Sequence, residues 1–320
     1  MSVVHSATPP FLDHDRPPVP DIVVPRGVLP FHLALRPVRG RLVRLGPLAD
    51  ALLTRQVMNP VVADLLGQAL ALTAGLAAAL KFRGSFSLQA KTDGAVGMLL
   101  ADCTDAGALR GYARVDADRL ASLLADDPSP PASTLLGQGY LAFTCDQGPE
   151  TERYQGIVAI EGATLAAMTG AYFRNSEQIA SHVTLAAARS AQGWRASALI
   201  LEKVAGSGGI DAALDAEERD ESWRTALALA GTLTQAEMLD DALPPEQLLH
   251  RLFHAEGLVV DRARALAYGC RCSRARLAGV LDGFAAEDLD HMDVDGAITM
   301  TCEFCKIDFR FTRAEMRGGA

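Results

Sequence analysis

Near the end of the chain stand two close pairs of cysteines, Cys270 and Cys272 in C-R-C and Cys302 and Cys305 in C-E-F-C. Four thiolates in two tight pairs suit a tetrahedral metal, and zinc (Zn2+) is the usual occupant of a four-cysteine site. The second pair has the two-residue gap of structural zinc knuckles, whereas the first is closed up to one intervening residue and requires a sharp backbone turn. Cysteines one residue apart, if oxidised to each other, close a small and strained ring. Strained disulfides are the labile, regulatory kind.

Thiolate rather than thiol binds zinc, so bound metal would hold all four sulfurs deprotonated at neutral pH. If an oxidant takes one of them to sulfenic acid, the neighbour one or two residues away can close a disulfide, and two such events remove every ligand. Structural zinc contributes on the order of 10 kcal/mol to a small metal-dependent domain, comparable with the whole stability of a typical fold. Its loss is expected to unfold the C-terminal lobe. Arg271, Arg274, Arg276 and Lys306 stand beside the sulfurs in sequence. There they either offset thiolate charge and attract anionic oxidants such as hypochlorite, or are solvated surface cations. His291, between the two pairs, reads as an exposed loop residue rather than an alternative ligand.

Four cysteine ligands leave no open position for a catalytic water. No nucleophile elbow, phosphate loop, dinucleotide fingerprint or H-E-x-x-H stretch is present, and G-A-V-G and G-S-G-G lack the spacing of phosphate motifs. The expectation is a protein without catalytic residues, not an enzyme.

The elements that must position these cysteines belong to a chain of 320 residues, 49% hydrophobic, long enough for two domains. Its longest apolar stretch, residues 65–80, is interrupted by Gly67, Gln68, Thr73 and Gly75. That is shorter than the roughly 20 residues a bilayer span requires, so no membrane association is expected. Residues 1–27 hold six prolines and no Lys or Arg before Arg16. They lack the features of a signal peptide and read as a disordered extension. A cytoplasmic location follows as the expectation, with the six cysteines in a reducing compartment. Cys103 and Cys145 read as buried, inert thiols.

Net charge is −9 and unevenly spread. Residues 206–255 carry ten acidic against three basic side chains, and from residue 256 onward the count is eleven against nine. With no basic excess to neutralise phosphates, nucleic acid is not an expected partner.

Residues 28–205 read as an α+β body. A buried helix is expected over 61–80, and strands over 85–91, 95–101, 109–115, 139–144 and 154–160, at hairpin-like spacing that implies an antiparallel sheet. A helix over 164–180 and strands near 183–187 and 196–204 follow. The G-S-G-G at 206–209 is a flexible break. Residues 206–255 then form an acidic helical linker. One helix is expected over 222–240, with Trp223, Leu227 and Ala230 on one line and Leu229, Leu233 and Ala236 on its neighbour. A second is expected over 246–254, beyond Pro244-Pro245. The acidity of this linker is expected to weaken docking of its apolar stripe, leaving it marginally stable. Residues 256–320 complete the chain as a small four-cysteine zinc lobe.

The sequence resembles the heat-shock protein 33 family of redox-regulated bacterial holdase chaperones over roughly residues 28–311. Carrying the resemblance are C-R-C-S-R from Cys270, C-E-F-C from Cys302, L-K-F-R-G from Leu80, R-G-Y-A-R-V from Arg110, E-R-Y-Q-G-I-V from Glu152 and Y-F-R-N-S-E-Q from Tyr172. It implies an ATP-independent chaperone of the oxidative stress response, inactive while zinc-bound. On oxidation, the resemblance pairs Cys270 with Cys272 and Cys302 with Cys305, zinc departs and the linker unfolds. The active form is then a homodimer that binds unfolding client proteins. The linker residues Trp223, Leu227, Leu229 and Leu233 are candidate client contacts. Lys306 and Phe309 stand where many members have Gly and Tyr. The alternative is a structural zinc ribbon that binds a specific partner without redox switching.

Overall fold

A computed structural model describes residues 18–79, 83–148, 151, 153–204 and 215–312. The described residues fall into two compact units, Ile22–Tyr268 and residues 269–312 together with 18–21. The architecture is α+β.

The larger unit is built on a sheet of β1 (Val23–Leu33), β2 (Val38–Arg44), β3 (Ser85–Thr92), β4 (Val96–Thr104), β5 (Ala108–Val115), β6 (Gly139–Asp146), β7 (Tyr154–Ala159), β8 (Ser181–Ser190), β9 (Gly193–Lys203), β10 (Leu258–Val260) and β11 (Arg264–Tyr268). Among the described residues the strand order is β7-β6-β3-β4-β5-β11-β1-β2-β9-β8, with β10 beside the far end of β1. Neighbours run antiparallel except β11 and β5, which are parallel. The β1 strand begins inside the expected extension. Pro25 and Pro30 hide it from a sequence reading, because proline removes a ladder donor. The register of β1 against β11 shifts between Val24 and Val28, around Pro25. Residues 1–17 of the expected extension, and the G-S-G-G break, lie outside the described residues.

On the sheet lie α1 (Pro47–Thr54), α2 (Pro60–Ala77), α3 (Ala117–Asp126), α4 (Ala132–Leu136) and α5 (Leu165–Tyr172). Asn59 caps α2, its side chain accepting from Val61 N, and Pro60 occupies the first turn, where its missing N–H costs nothing. This is the one described helix long and apolar enough to cross a bilayer, and 78% of it is buried inside the body. The helix expected over 164–180 stops at Tyr172 and passes into a π-helical turn, Phe173–Glu177, ended by Gln178 in the left-handed region. Glu177 accepts hydrogen bonds from both Tyr154, at 3.1 Å, and Tyr172. That shared acceptor ties the Y-F-R-N-S-E-Q segment to β7.

The linker packs as part of the same unit, through α6 (Ala216–Ala230), α7 (Gln235–Leu239) and α8 (Pro245–Phe253). The single helix expected over 222–240 is two. Helix α6 starts earlier, at a capping box between Asp215 and Glu218, and ends at Gly231; a second capping box, Thr234 with Glu237, starts α7. Two reciprocal caps and an intervening glycine outweigh the continuous apolar line.

Ala226 and Ala230 of α6 and Leu248, Leu249, Leu252 and Phe253 of α8 close over Leu29, Phe31, Leu42 and Leu199 of the sheet. Phe253 stacks on Phe31 with ring centroids 5.5 Å apart. Cations of the body stand opposite the linker's acidic residues. Arg195 pairs with Asp241 and Lys203 with Asp220, each at 2.5 Å, and just beyond the linker Arg36 pairs with Glu256 at the same distance. Arg44 donates to the main-chain carbonyls of Glu237, Asp240 and Leu243, capping the end of α7.

The smaller unit holds α9 (Arg274–Leu281), α10 (Ala286–Met292) and a hairpin of β12 (Ala297–Thr301) with β13 (Asp308–Thr312). Among the described residues its apolar interior is little more than Leu281, Ala297, Ile298, Phe309 and Phe311.

Truncating Phe253 to alanine removes the ring that anchors α8 to the sheet. Denaturant unfolding should register a loss of about 3–5 kcal/mol, the usual cost of a buried Phe→Ala cavity.

Candidate metal centre

Two short segments bring the four cysteines together. Cys270 and Cys272 lie just before α9, whose N-cap Ser273 follows Cys272 directly and accepts from Arg276 N at 3.2 Å. The cap fixes where the helix starts and so where the preceding cysteine sits. Cys302 follows β12, and Cys305 lies in the turn before β13. That turn is closed by Lys306 N donating to Cys302 O at 2.8 Å and Cys302 N donating to Ile307 O at 3.0 Å.

The sulfur of Cys270 is 3.3 Å from that of Cys272 and 3.7 Å from that of Cys302, and Cys272 is 3.4 Å from Cys305. All four sulfurs lie within 4.8 Å of one another, and all four residues are buried. A tetrahedral ion with metal–sulfur bonds of about 2.3 Å places its sulfurs roughly 3.8 Å apart. The donor set and its spacing therefore fit a metal ion held by four sulfurs.

Crowding splits the thiols electrostatically. Hydrogen bonding with Cys272 draws Cys270 down to about 7, and hydrogen bonding with Cys270 and the other thiols draws Cys302 down further. Cys272 and Cys305 are pushed up, chiefly by their hydrogen bonds to Cys270. The cluster cannot carry four negative charges unaided, and a cation at its centre is what would allow it.

The neighbouring cations have structural partners. The Arg274 guanidinium lies 4.6 Å from the centroid of the Phe311 ring, Arg276 donates to Arg271 O at 3.3 Å, and Lys306 pairs with Glu303 at 2.6 Å. His291 is exposed on the last turn of α10 rather than in a loop, and is not among the clustered ligand atoms. Cys103 is buried in β4; Cys145 is half-buried in β6, its thiol raised by burial and then by Glu177. Trp223 and Leu229 of α6, and Leu233 beyond it, are partly buried against the sheet core, and Leu227 is half-buried.

Lys306 adopts φ +55°, the left-handed region. Glycine, common at this position in the family, adopts that region without strain, and this is the signal in the sequence that points to the geometry.

A model of the Hsp33 protein family matches residues 27–312. The chain belongs to the Hsp33 family. Among curated Hsp33 relatives, the 33 kDa chaperonin of Caulobacter vibrioides is 39% identical over 295 residues, which cover 89% of this chain and 96% of that protein. The 33 kDa chaperonin of Pseudomonas fluorescens is 36% identical over 280 residues, 87% of this chain and 88% of that one. The crystal structure of the 33 kDa chaperonin (Heat shock protein 33 homolog) from Thermotoga maritima superposes with a TM-score of 0.72 at 20% identity, covering 91% of this chain and 97% of that chain. At that identity the likeness is one of fold. Hsp33 membership supports a chaperone role and, with it, binding of unfolded proteins.

Replacing Lys306 with glycine should relieve the left-handed backbone strain beside the Hsp33 cysteines. The expected gain is about 1 kcal/mol in stability of the smaller unit, read as tighter metal retention against a competing chelator.

Proposed function

We propose that this protein is an ATP-independent holdase chaperone, held inactive by zinc on Cys270, Cys272, Cys302 and Cys305 and activated when those sulfurs are oxidised. The observation that carries the reading is the convergence of four buried thiols in a chain of a chaperone family. Zinc, when bound, neutralises the thiolates and cross-links the segment before α9 to the β12–β13 hairpin.

Oxidation acts on the chain's own sulfurs. Each pair of thiolates gives two electrons to the oxidant and forms one S–S bond, while hypochlorite and one water leave as chloride and two hydroxides. Following the family resemblance, the pairs are Cys270 with Cys272 and Cys302 with Cys305. Sulfurs bonded to each other are no longer ligands, so the metal is released and the small apolar interior of the lobe is left to hold it alone.

Release of the linker then exposes its own apolar face, including Trp223, Leu227, Leu229 and Leu233, and uncovers Leu29, Phe31 and Leu42 beneath α6 and α8. Such a surface suits unfolding proteins, which present apolar side chains in no fixed order. The working form is a homodimer, acting in the cytoplasm during oxidative stress. Neither nucleic acid nor membrane is a partner in this reading.

The test follows zinc with a chromogenic chelator during hypochlorite treatment while light scattering reports aggregation of a heat-denatured client. Reduced protein should carry one zinc and suppress little; oxidised protein should release the zinc and suppress strongly. Trp223 emission should shift to the red in step, with Trp223→Phe separating its signal from that of Trp194. Equal suppression by the reduced form, or a reduced form without metal, rejects the switch. Retention of zinc with no gain in suppression would leave a permanent zinc ribbon.

A further inference from the structure

Strand β11 fills a slot in the sheet of the larger unit. On one side it pairs with β1 through Val23↔Ala267, Val24↔Leu266 and Val28↔Arg264; on the other it pairs with β5 through Ala267↔Ala108 and Tyr268↔Leu109. Among the described residues, β11 is all that joins β1-β2-β9-β8 to β7-β6-β3-β4-β5. Its removal would leave two strand edges facing each other, each with unpaired backbone donors and acceptors.

The slot is shaped for an extended backbone. A Cβ on Gly107, at φ +88°, would lie 2.1 Å from the carbonyl oxygen of Ala265, and one on Gly27 would lie 2.6 Å from the Leu266 side chain. Glycine at these two positions lets a strand seat. Main-chain bonds then hold it, Ala267 N donating to Gly107 O at 2.9 Å and Tyr268 N to Ile22 O at 3.1 Å. Beside the strand runs a cavity of about 470 Å3, lined by Val28, Cys103, Asp105, Ala265 and Leu266 among others. It leaves room for side chains larger than that of Ala265.

In sequence β11 ends at Tyr268, two residues before Cys270. We propose that β11 is an internal placeholder, and that its withdrawal opens a slot between β1 and β5 which takes an extended segment of an unfolding protein by strand addition. Recognition through main-chain hydrogen bonds is nearly blind to sequence, and the adjoining cavity tolerates varied side chains. Both properties match a client defined by being unfolded rather than by a motif. The proposal rests on the oxidation-activated reading above.

The test uses the full-length protein and a synthetic peptide, A-R-A-L-A-Y-G, copying residues 263–269. Hydrogen exchange should show protection lost on oxidation in the stretches paired with β11, Val23–Val28 and Ala108–Leu109, and regained when the peptide is added. The peptide should compete with client for oxidised protein and bind reduced protein far more weakly. Methylating its amide nitrogens at the positions of Ala267 and Tyr268 should weaken competition by roughly tenfold or more, the loss of two main-chain hydrogen bonds.

If oxidised protein suppresses aggregation while both strands stay protected, or while the methylated peptide competes equally, the slot is overturned and the chaperone reading stands. If oxidised protein suppresses nothing, both fall together.

Discussion

Four thiols whose sulfurs lie within 4.8 Å of one another in a buried cluster set the terms for the smaller unit. Sulfurs at that spacing cannot all ionise unless a positive charge sits among them, and thiols left protonated can only share hydrogen bonds with their neighbours. Among the described residues the rest of that unit offers one short hairpin, two short helices and a handful of buried apolar side chains. Units of this size rarely reach useful stability on a hydrophobic core alone, and a metal is one of the usual remedies. A metal held here would tie the fold of this segment to the state of its cysteines, since a sulfur that is protonated or joined in an S–S bond is no longer a thiolate ligand.

Electrostatics act differently on the linker. Its acidic residues repel one another in an isolated helix, but on the body Asp241 and Asp220 meet Arg195 and Lys203, while Arg44 gathers the carbonyls at the end of α7. These pairs are partly exposed and individually worth little. Their value is in register: they place α6 and α8 so that Ala226, Ala230, Leu249 and Phe253 fall onto the sheet core, where apolar burial supplies most of the attraction. Small residues on the buried line of α6 keep that attraction modest for its length. The linker is well matched to its seat and not heavily anchored in it.

Much of the fold was legible because its strands alternate cleanly and its main helix is apolar on nearly every side. The strand read at 85–91 is observed as Ser85–Thr92, that at 109–115 as Ala108–Val115, and the buried helix at 61–80 as Pro60–Ala77. The cysteines read from spacing are the ones whose sulfurs converge, because two short-gap pairs constrain geometry more than any periodicity does. What stayed hidden depends on partners distant in sequence. The β1 strand carries two prolines, and β11, with the sequence R-A-L-A-Y, has neither the length nor the alternation to announce a strand. Its pairing with β1 and β5 spans most of the chain. The break between α6 and α7 was written in Gly231 and in the T-Q-A-E capping box, local signals overridden by the lure of a long apolar stripe.

Chain connectivity gives β11 a mechanical role that its small size conceals. Two residues of extended chain span about 7 Å at most, so Cys270 cannot travel further than that from its position relative to Tyr268 without drawing the end of β11 along. The first rungs to meet such a pull are Tyr268↔Leu109 and Ala267↔Ala108, and these are the whole of the ladder to β5. By contrast, the β8–β9 hairpin is laced from Ser181↔Glu202 to Ser190↔Gly193 and shares none of its load with the cysteines. Burial of Leu266 and Tyr268 resists the pull, which keeps the strand seated while the smaller unit holds its shape. On the proposed reading, a displacement of Cys270 would meet this two-rung ladder first, and β1 and β5 are the strands whose backbones it would leave unpaired.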